Sequence, residues 1–227
     1  MLNICLNLAK HKQAGRYYLA EGTALAIQIK HCLSEDLDFF TPEKVNSDSI
    51  INWMEETFPL KSAVVIFKKL DQLDLRIDGV KVSFIEYPFP LVYPLVSLDV
   101  IEPGLSGIKL ASTSEIALFK AYALGRRASF RDYIDLYYIL HNNYSSLEKI
   151  IAGCCKKYVL EGELLFSDKL FLQQLAYTED LPDKEEALSM LFEQNVTVDV
   201  VEKELAKQIK SFLSTIGNSK VEAGEDA

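Results

Sequence analysis

Long hydrophobic runs and cysteine motifs are missing from this 227-residue chain. Its opening apolar run is too short for a signal sequence, and no stretch reaches the roughly 18 apolar residues of a membrane-spanning helix. We therefore expect a protein of the cytoplasm with no membrane partner. The absence of a C-x-x-C pair argues against zinc and redox motifs. Four cysteines, which we expect to be reduced, are Cys5, Cys32, Cys154 and Cys155.

Positive charge is also in short supply. The chain has 24 lysines and arginines against 33 aspartates and glutamates, and a formal net charge of −9. Such an acidic surface argues against a broad electrostatic grip on nucleic acid, whose phosphates are contacted mainly by lysine and arginine. An anionic substrate would then depend on bound metal or on a few local cations. We find no paired nucleophile and base of the kind that hydrolases use.

The hydrophobic pattern predicts an α+β chain with two different halves, a mixed sheet with helices followed by an α-helical half. We predict a core domain over residues 1–105, an α-helical domain over residues 106–216 that completes the active-site cleft, and a disordered acidic tail over residues 217–227. Apolar residues recur at the helical period in several segments. These predicted helices cover residues 24–33, 47–58, 112–123, 129–140, 145–159, 168–177, 184–192 and 198–216.

A hairpin is predicted around Asp78-Gly79, because this dipeptide lies between two strand-like runs. A two-residue turn at this place predicts that Asp74 pairs with Ser83. These two residues would share a face that is wet or lines a cleft. The opposite face of the hairpin is apolar and would belong to the core.

A glycine turn, a helix and an acidic strand follow one another near the start of the chain. Gly22 permits a tight turn, and Thr23 is a good N-cap for the helix. Asp36 and Asp38 are two residues apart on the predicted strand, so they face the same way, about 6–7 Å apart. An isolated D-x-D is usually a solvated strand edge. Behind a glycine turn that offers N–H groups to phosphate, the pair is instead typical of a magnesium site.

A second group of charged residues lies in the predicted helical half. Lys120, Arg127, Arg131 and Asp132 bring cations together in an otherwise acidic chain, which suits an anionic substrate. The alternative is a solvated helix face with salt bridges, such as one between Arg131 and Asp135 at i and i+4. The spacing alone fits both interpretations.

The two groups together resemble the AbiEii/AbiGii toxin family of nucleotidyltransferases, within the DNA polymerase β-like superfamily. The likeness covers roughly residues 15–140. Its first block is Y-L-A-E-G-T-A-L-A from Tyr18, then His31 and S-E-D-L-D-F-F from Ser34. Its second block is Glu115, Lys120, Arg126-Arg127 and R-D-Y-I-D-L from Arg131.

This resemblance implies a metal-dependent enzyme that moves a nucleoside monophosphate from an NTP to an acceptor hydroxyl. The acceptor would be RNA, such as a tRNA end, or protein. The cofactor would be Mg²⁺ or Mn²⁺, and the toxin would have a cognate antitoxin as its partner. Eight residues receive roles from the resemblance: metal binding and catalysis at Asp36 and Asp38, phosphate binding at Gly22 and Thr23, nucleotide binding at Lys120, Arg127 and Arg131, and catalysis at Lys120 and Asp132.

The sequence departs from the family pattern at three places. Glu21 stands where the first glycine of a Gly-Gly pair is usual, and Cys32 replaces the arginine that usually follows the family's histidine. The third carboxylate of the superfamily is not obvious, because Ser83 or Glu86 lies near its position. Asp74, opposite Ser83 in the predicted hairpin, could take its place. These departures motivate an alternative, a catalytically degenerate binding or scaffold protein with the same fold.

Overall fold

The chain divides into two compact units. The computed structural model describes residues 1–59, 62–103 and 105–222, and the division lies between Ile116 and Ala117. The predicted α+β class is confirmed, since a mixed sheet comes first and helices dominate afterwards. Over the described ranges, no helix is long and apolar enough to cross a membrane.

The first unit combines a mixed sheet with α-helices. In the described part of this unit the helices are α1 (Leu2–Ala9), α2 (Glu21–Ile29) and α3 (Ser47–Thr57), with short 3-10 helices at Lys12–Arg16 and Leu98–Val100. The strands are β1 (Tyr18–Leu19), β2 (Leu37–Thr41), β3 (Ala63–Lys68), β4 (Gln72–Ile77), β5 (Val80–Glu86), β6 (Leu95–Ser97) and β7 (Lys109–Ala111). Their order is β3-β4-β5-β2-β1-β7-β6. Strand β2 runs parallel to β5, and β1 runs parallel to β7.

The predicted hairpin is formed by β4 and β5. Asp74 lies opposite Ser83, as predicted. Asp78 and Gly79 have φ values of 48° and 86°, the positive values that a two-residue turn of this type requires. At Asp74 and Ser83 this face is not wet, because they are 6% and 0% exposed, and the other alternative, that it lines a cleft, stays a prediction. The short side chain of Ser83 lies on an inner strand, between the longer side chains of Asp74 and Asp38.

An aromatic cluster covers the other face of this sheet. Phe39 of β2 and Phe84 of β5 stack with ring centroids 5.5 Å apart, and Trp53 of α3 lies 5.7 Å from Phe84. Burying each such side chain contributes about 1.5–3 kcal/mol. Because side chains alternate along a strand, this packing turns Asp38 and Ser83 toward the opposite face.

Helix α2 begins earlier than the sequence predicts. Its first residue is Glu21 and its N-cap residue is Ala20, so Thr23 lies in the first turn and is not the N-cap. The Thr23 hydroxyl is used elsewhere, since it lies 2.5 Å from the Ser34 hydroxyl and donates to the backbone carbonyl of Asp36. This side chain therefore ties the start of α2 to the segment that leads into β2.

The second unit is helical, as predicted. Helix α4 (Thr113–Ala123) spans the division, and α5 (Phe130–His141), α6 (Leu147–Lys157), α7 (Asp168–Leu175), α8 (Lys184–Ser189) and α9 (Val198–Glu222) follow, with a small hairpin of β8 (Val159–Leu160) and β9 (Glu163–Leu164). The predicted tail needs a correction, because α9 continues as a helix through residues 217–222. Residues 223–227 lie outside the described residues, and their disorder stays a prediction.

Helix α5 lies at the centre of this unit, in contact with α8 and α9. Every residue from Phe130 to Leu140 except Arg131 is buried. Asp132 and Asp135 are therefore taken out of water with the apolar residues around them. Buried carboxylates are costly unless they are paired, so their partners decide what this helix can do.

Candidate functional site

The acidic pair lies at the start of β2, behind the turn into α2. Asp38 is inside β2, whereas Asp36 directly precedes the strand. Asp38 is level with Ser83 on β5, and Ser83 is level with Asp74 on β4. Neighbouring strands are about 4.8 Å apart, so the Cα atoms of Asp38 and Asp74 are separated by roughly 10 Å. The three residues form a polar row across adjacent strands.

The charge of Asp38 is disfavoured where it lies. Burial raises the pKa of Asp38 above its ordinary value, and the negative charges of Glu21 and Asp36 act in the same direction. The Ser83 hydroxyl and the Lys81 ammonium oppose this shift. A carboxylate in such surroundings gains from a nearby cation.

The donor set fits a divalent cation that keeps part of its water. Asp36 and Asp38 supply carboxylate oxygens, the ligands that Mg²⁺ prefers. Among the described residues, no group of three or more histidines, cysteines, aspartates and glutamates could hold a metal by itself. An ion held by this pair would therefore take its remaining ligands from water and substrate phosphate, which is usual for Mg²⁺.

One departure from the family pattern, Glu21 in place of a glycine, lies in the turn before the acidic pair. Glu21 has a φ of 56°, in the left-handed region that favours glycine. A glycine at this position would relieve a cost of about 1 kcal/mol or slightly more. Gly22 follows in the first turn of α2, where backbone N–H groups have no partner inside the helix. Phosphate binding at Gly22 and Thr23 stays a prediction, and for Thr23 it rests on the backbone, because the hydroxyl is already bonded.

A buried ionic network occupies the predicted cationic group of the second unit. The Lys120 ammonium lies 2.9 Å from Asp132 Oδ1 and 2.8 Å from Asp135 Oδ2. The Arg127 guanidinium donates to both oxygens of Asp132 at 2.7 Å. Burial alone would raise the pKa of Asp132, but Lys120 and Arg127 outweigh it and lower the pKa to about 2. Two cationic side chains thus face two carboxylates within salt-bridge distance, and their charges compensate one another.

The network differs from the helix-face salt bridge that the spacing also allowed. Arg131 pairs with Glu186 on α8 at 2.5 Å, whereas Asp135 pairs with Lys120. Arg127 and Arg131 are about half-exposed, at 49% and 47% of their side chains, whereas Lys120 is 4% exposed. The arginines, more than the lysine, can meet a ligand from solution.

Lys81 and Gln72 contact Asp74 of the polar row, although the sequence analysis did not single them out as site residues. The Lys81 ammonium lies 3.5 Å from Asp74 Oδ2, and the Gln72 amide donates to Asp74 Oδ1 at 2.8 Å. Lys81 precedes Ser83 by two positions on β5, and side chains two residues apart on a strand point to the same face. The sequence spacing could therefore have indicated that Lys81 lies beside Ser83.

The predicted site residues thus form two groups, each inside one unit. The first unit brings Asp36 and Asp38 together behind Gly22 and Thr23, and the second joins Lys120, Arg127 and Asp132, with Arg131 beside them on α5. The role of the helical half in completing a cleft stays a prediction.

A mixed sheet with a D-x-D pair behind a strand, turn and helix is the arrangement on which the resemblance to nucleotidyltransferases rests. The chain belongs to the AbiEii family, because the model described as "Nucleotidyl transferase AbiEii toxin, Type IV TA system" matches residues 8–220. It is also 35% identical over 167 residues to the Aquifex aeolicus (strain VF5) protein aq_aa25, a match that covers 72% of this chain and 74% of that protein. The predicted family is confirmed, and the chain is a nucleotidyltransferase.

Two crystal structures from Helicobacter pylori share the fold. JHP933 matches with a TM-score of 0.56 and 17% identity, over 99% of this chain and 94% of that one. A candidate nucleotidyltransferase matches with a TM-score of 0.55 and 17% identity, over 96% of this chain and 93% of that one. At this level of identity the likeness concerns the fold alone.

Proposed function

We propose that this nucleotidyltransferase transfers a nucleoside monophosphate from an NTP to an acceptor hydroxyl, with Mg²⁺ or Mn²⁺ held by Asp36 and Asp38. The carrying observation is the acidic pair itself. Its carboxylates repel each other at the start of an inner strand, and burial further disfavours the charge of Asp38. An arrangement that is costly when empty is what a cation site requires.

The side chains around the pair would fix its geometry. Thr23 holds the backbone at Asp36, and Ser83 lies level with Asp38 on the neighbouring strand. A divalent cation at the pair supplies charge neutralisation for the triphosphate. The acceptor hydroxyl releases its proton to water, its oxygen bonds to the α-phosphorus as the bond to the bridging oxygen breaks, and pyrophosphate leaves. The N–H groups at Gly22 and Thr23 are suited to phosphate oxygens.

The second unit would contribute cations for the nucleotide. Lys120 is shared by two carboxylates, so its direct use for the triphosphate would require one of them to release it. Arg127 is anchored by Asp132 and about half-exposed, which keeps its guanidinium oriented. We assign nucleotide contact to Arg127 and Arg131. Asp132 would anchor Arg127, and Lys120 would hold Asp132 in place.

The proposed partners are inferred from the family, and the acidic net charge of the chain does not by itself indicate them. As a member of a toxin–antitoxin family, the chain would have a cognate antitoxin. An RNA acceptor, such as a tRNA end, would have to be held by local cations, because the net charge is −9. A protein hydroxyl is the other acceptor class, and it needs no such cations.

A labelling experiment tests the proposed transfer. The full chain is incubated with each α-³²P-labelled NTP, Mg²⁺ or Mn²⁺, and total RNA or total protein of its host. We expect label on one acceptor class, lost in the Asp36→Ala, Asp38→Ala double variant. Glu35→Gln is the matched control, because Glu35 is exposed and lies beside the pair. Unchanged labelling by the double variant would sink the metal role.

A second candidate function is the binding of a partner protein without catalysis, as a scaffold or an antitoxin-like protein. Glu21 puts a negative charge close to Asp38, and Asp74 is paired with Lys81 at the place where a third carboxylate was sought. Both features suit a degenerate site. Calorimetry with the Mg²⁺ complex of a non-hydrolysable NTP separates the candidates, since saturable binding that requires Asp36 and Asp38 counts against this one.

A further inference from the structure

Lys81 stands among the carboxylates of the polar row. It shares a face of β5 with Ser83, and its ammonium lies 3.5 Å from Asp74 Oδ2. Leu37, the first residue of β2, is level with Val82, and Asp36 and Lys81 directly precede these two residues in the parallel strands. Asp38 is level with Ser83, two residues along β5 from Lys81. Lys81 therefore places one positive charge near the three aspartates Asp36, Asp38 and Asp74.

Asp74 is committed to this lysine. Its side chain is 8% exposed, and its two oxygens are used separately, Oδ1 by the Gln72 amide and Oδ2 by Lys81. A buried carboxylate needs such partners, and removal of one of them leaves an uncompensated charge. Asp74 therefore has little capacity left for a metal ion while Lys81 is in place.

Lys81, unlike Asp74, does not depend on this ion pair to compensate a buried charge. Its side chain is 38% exposed, and a lysine on a strand can extend its ammonium into water. Here it is directed to the carboxylates instead. In two-metal sites, a second divalent ion lies about 3.5–4 Å from the first and balances the same kind of charge. An ammonium is a compact point charge that can do this without a ligand set.

We propose that the Lys81 ammonium, held in place by Asp74, is a built-in cation at the position of a second divalent ion. The site then takes one exchangeable divalent ion per chain, at Asp36 and Asp38. This inference rests on the proposed function, because it concerns the same phosphate-transfer site. Lys81 would face the phosphate side of the bound NTP as a fixed positive charge.

Counting bound Mn²⁺ tests this directly. The full chain is titrated with Mn²⁺, alone and with a non-hydrolysable α,β-methylene NTP, and free Mn²⁺ is followed by electron paramagnetic resonance. We expect one ion per wild-type chain and two per Lys81→Gln chain, because Asp74 is then released as a ligand. Lys81→Arg, which keeps the charge, should return the count to one. Lys69→Gln, a change at an exposed lysine, is the matched control.

The double variant Lys81→Gln, Asp74→Asn removes both charges and avoids an unpaired buried carboxylate. We expect it to bind one ion, because the second ion of Lys81→Gln requires the Asp74 carboxylate. Two ions in the wild type, one ion in folded Lys81→Gln, or no ion in any form would each overturn the inference. One bound ion together with no NMP transfer to any acceptor would overturn the proposed function and leave the cation count standing.

Discussion

The Thr23 hydroxyl donates a hydrogen bond to the backbone carbonyl of Asp36. The same hydroxyl lies 2.5 Å from the Ser34 hydroxyl, and Thr23 is 4% exposed. One side chain from the first turn of α2 therefore fixes the segment that carries the acidic pair. The position of the proposed metal ligands depends on a residue that bears no charge.

Loss of this hydroxyl should loosen the acidic segment. We expect Thr23→Val to lower the free energy of unfolding by about 1–3 kcal/mol, because the partly buried Asp36 carbonyl and Ser34 hydroxyl lose their partner. Urea unfolding measures this change. Thr23→Ser keeps the hydroxyl and is the control. Equal stability of the valine and serine variants would show that these bonds contribute nothing.

Glu21 offers a test of strain and charge together. We expect Glu21→Gly to raise the free energy of unfolding by about 1 kcal/mol, because its φ of 56° suits glycine. Removal of the carboxylate should also lower the pKa of Asp38 and weaken Mn²⁺ binding, because the site loses a nearby negative charge. Urea unfolding and a Mn²⁺ titration measure the two effects.

The control for this change is at the other end of α2. Lys30 has a φ of 52°, so Lys30→Gly should relieve the same kind of strain. Lys30 is not among the charges that act on Asp38. We therefore expect a similar gain in stability with unchanged Mn²⁺ affinity. An equal change of Mn²⁺ affinity in both variants would mean that the Glu21 charge is irrelevant to the metal site.

Local patterns in the sequence predicted the parts that depend on local forces. The Asp78-Gly79 turn set the hairpin register, because the backbone of such a turn needs two positive φ values. The apolar period located the helices of the second unit within a few residues. The D-x-D pair was visible because aspartate is unusual on a strand.

Long-range packing decided the rest. The sequence placed Lys120 and Asp132 in one cluster, but it could not show that Asp135 takes the second bond to Lys120, since that choice depends on how α4 and α5 pack. The burial of Asp74 depends on its neighbours across the sheet. Thr23 was mistaken for a cap because its true partner, Asp36, is thirteen residues away.

The network around Asp132 should dominate the stability of the second unit. We expect Asp132→Asn to lower the free energy of unfolding at pH 7 by about 3–5 kcal/mol, because Lys120 is left buried with less compensation. Urea unfolding measures it. Glu186→Gln is the control, since this exposed partner of Arg131 should cost at most about 1 kcal/mol.

The same network gives a dependence on pH with a defined sign. The pKa of Asp132 is about 2 in the folded chain, against about 3.9 for an unfolded aspartate. Its stabilisation is therefore fully present above pH 4 and is lost as the pH falls through 2. We expect the difference between wild type and Asp132→Asn to narrow over this window. A difference that stays constant from pH 5 to pH 2.5 would contradict the assignment.

Divalent ions should reverse the stability order of wild type and Asp38→Asn. Burial raises the pKa of Asp38, so the folded state is disfavoured once Asp38 ionises, and stability falls as the pH rises through that range. Without metal at pH 7, we expect Asp38→Asn to be the more stable form.

An ion at 100 times its dissociation constant should raise the free energy of unfolding of the wild type by about 2.7 kcal/mol, and that of the variant by much less. Urea unfolding with chelator and with Mn²⁺ checks both orders, and equal stabilisation of the two proteins would place the ion elsewhere.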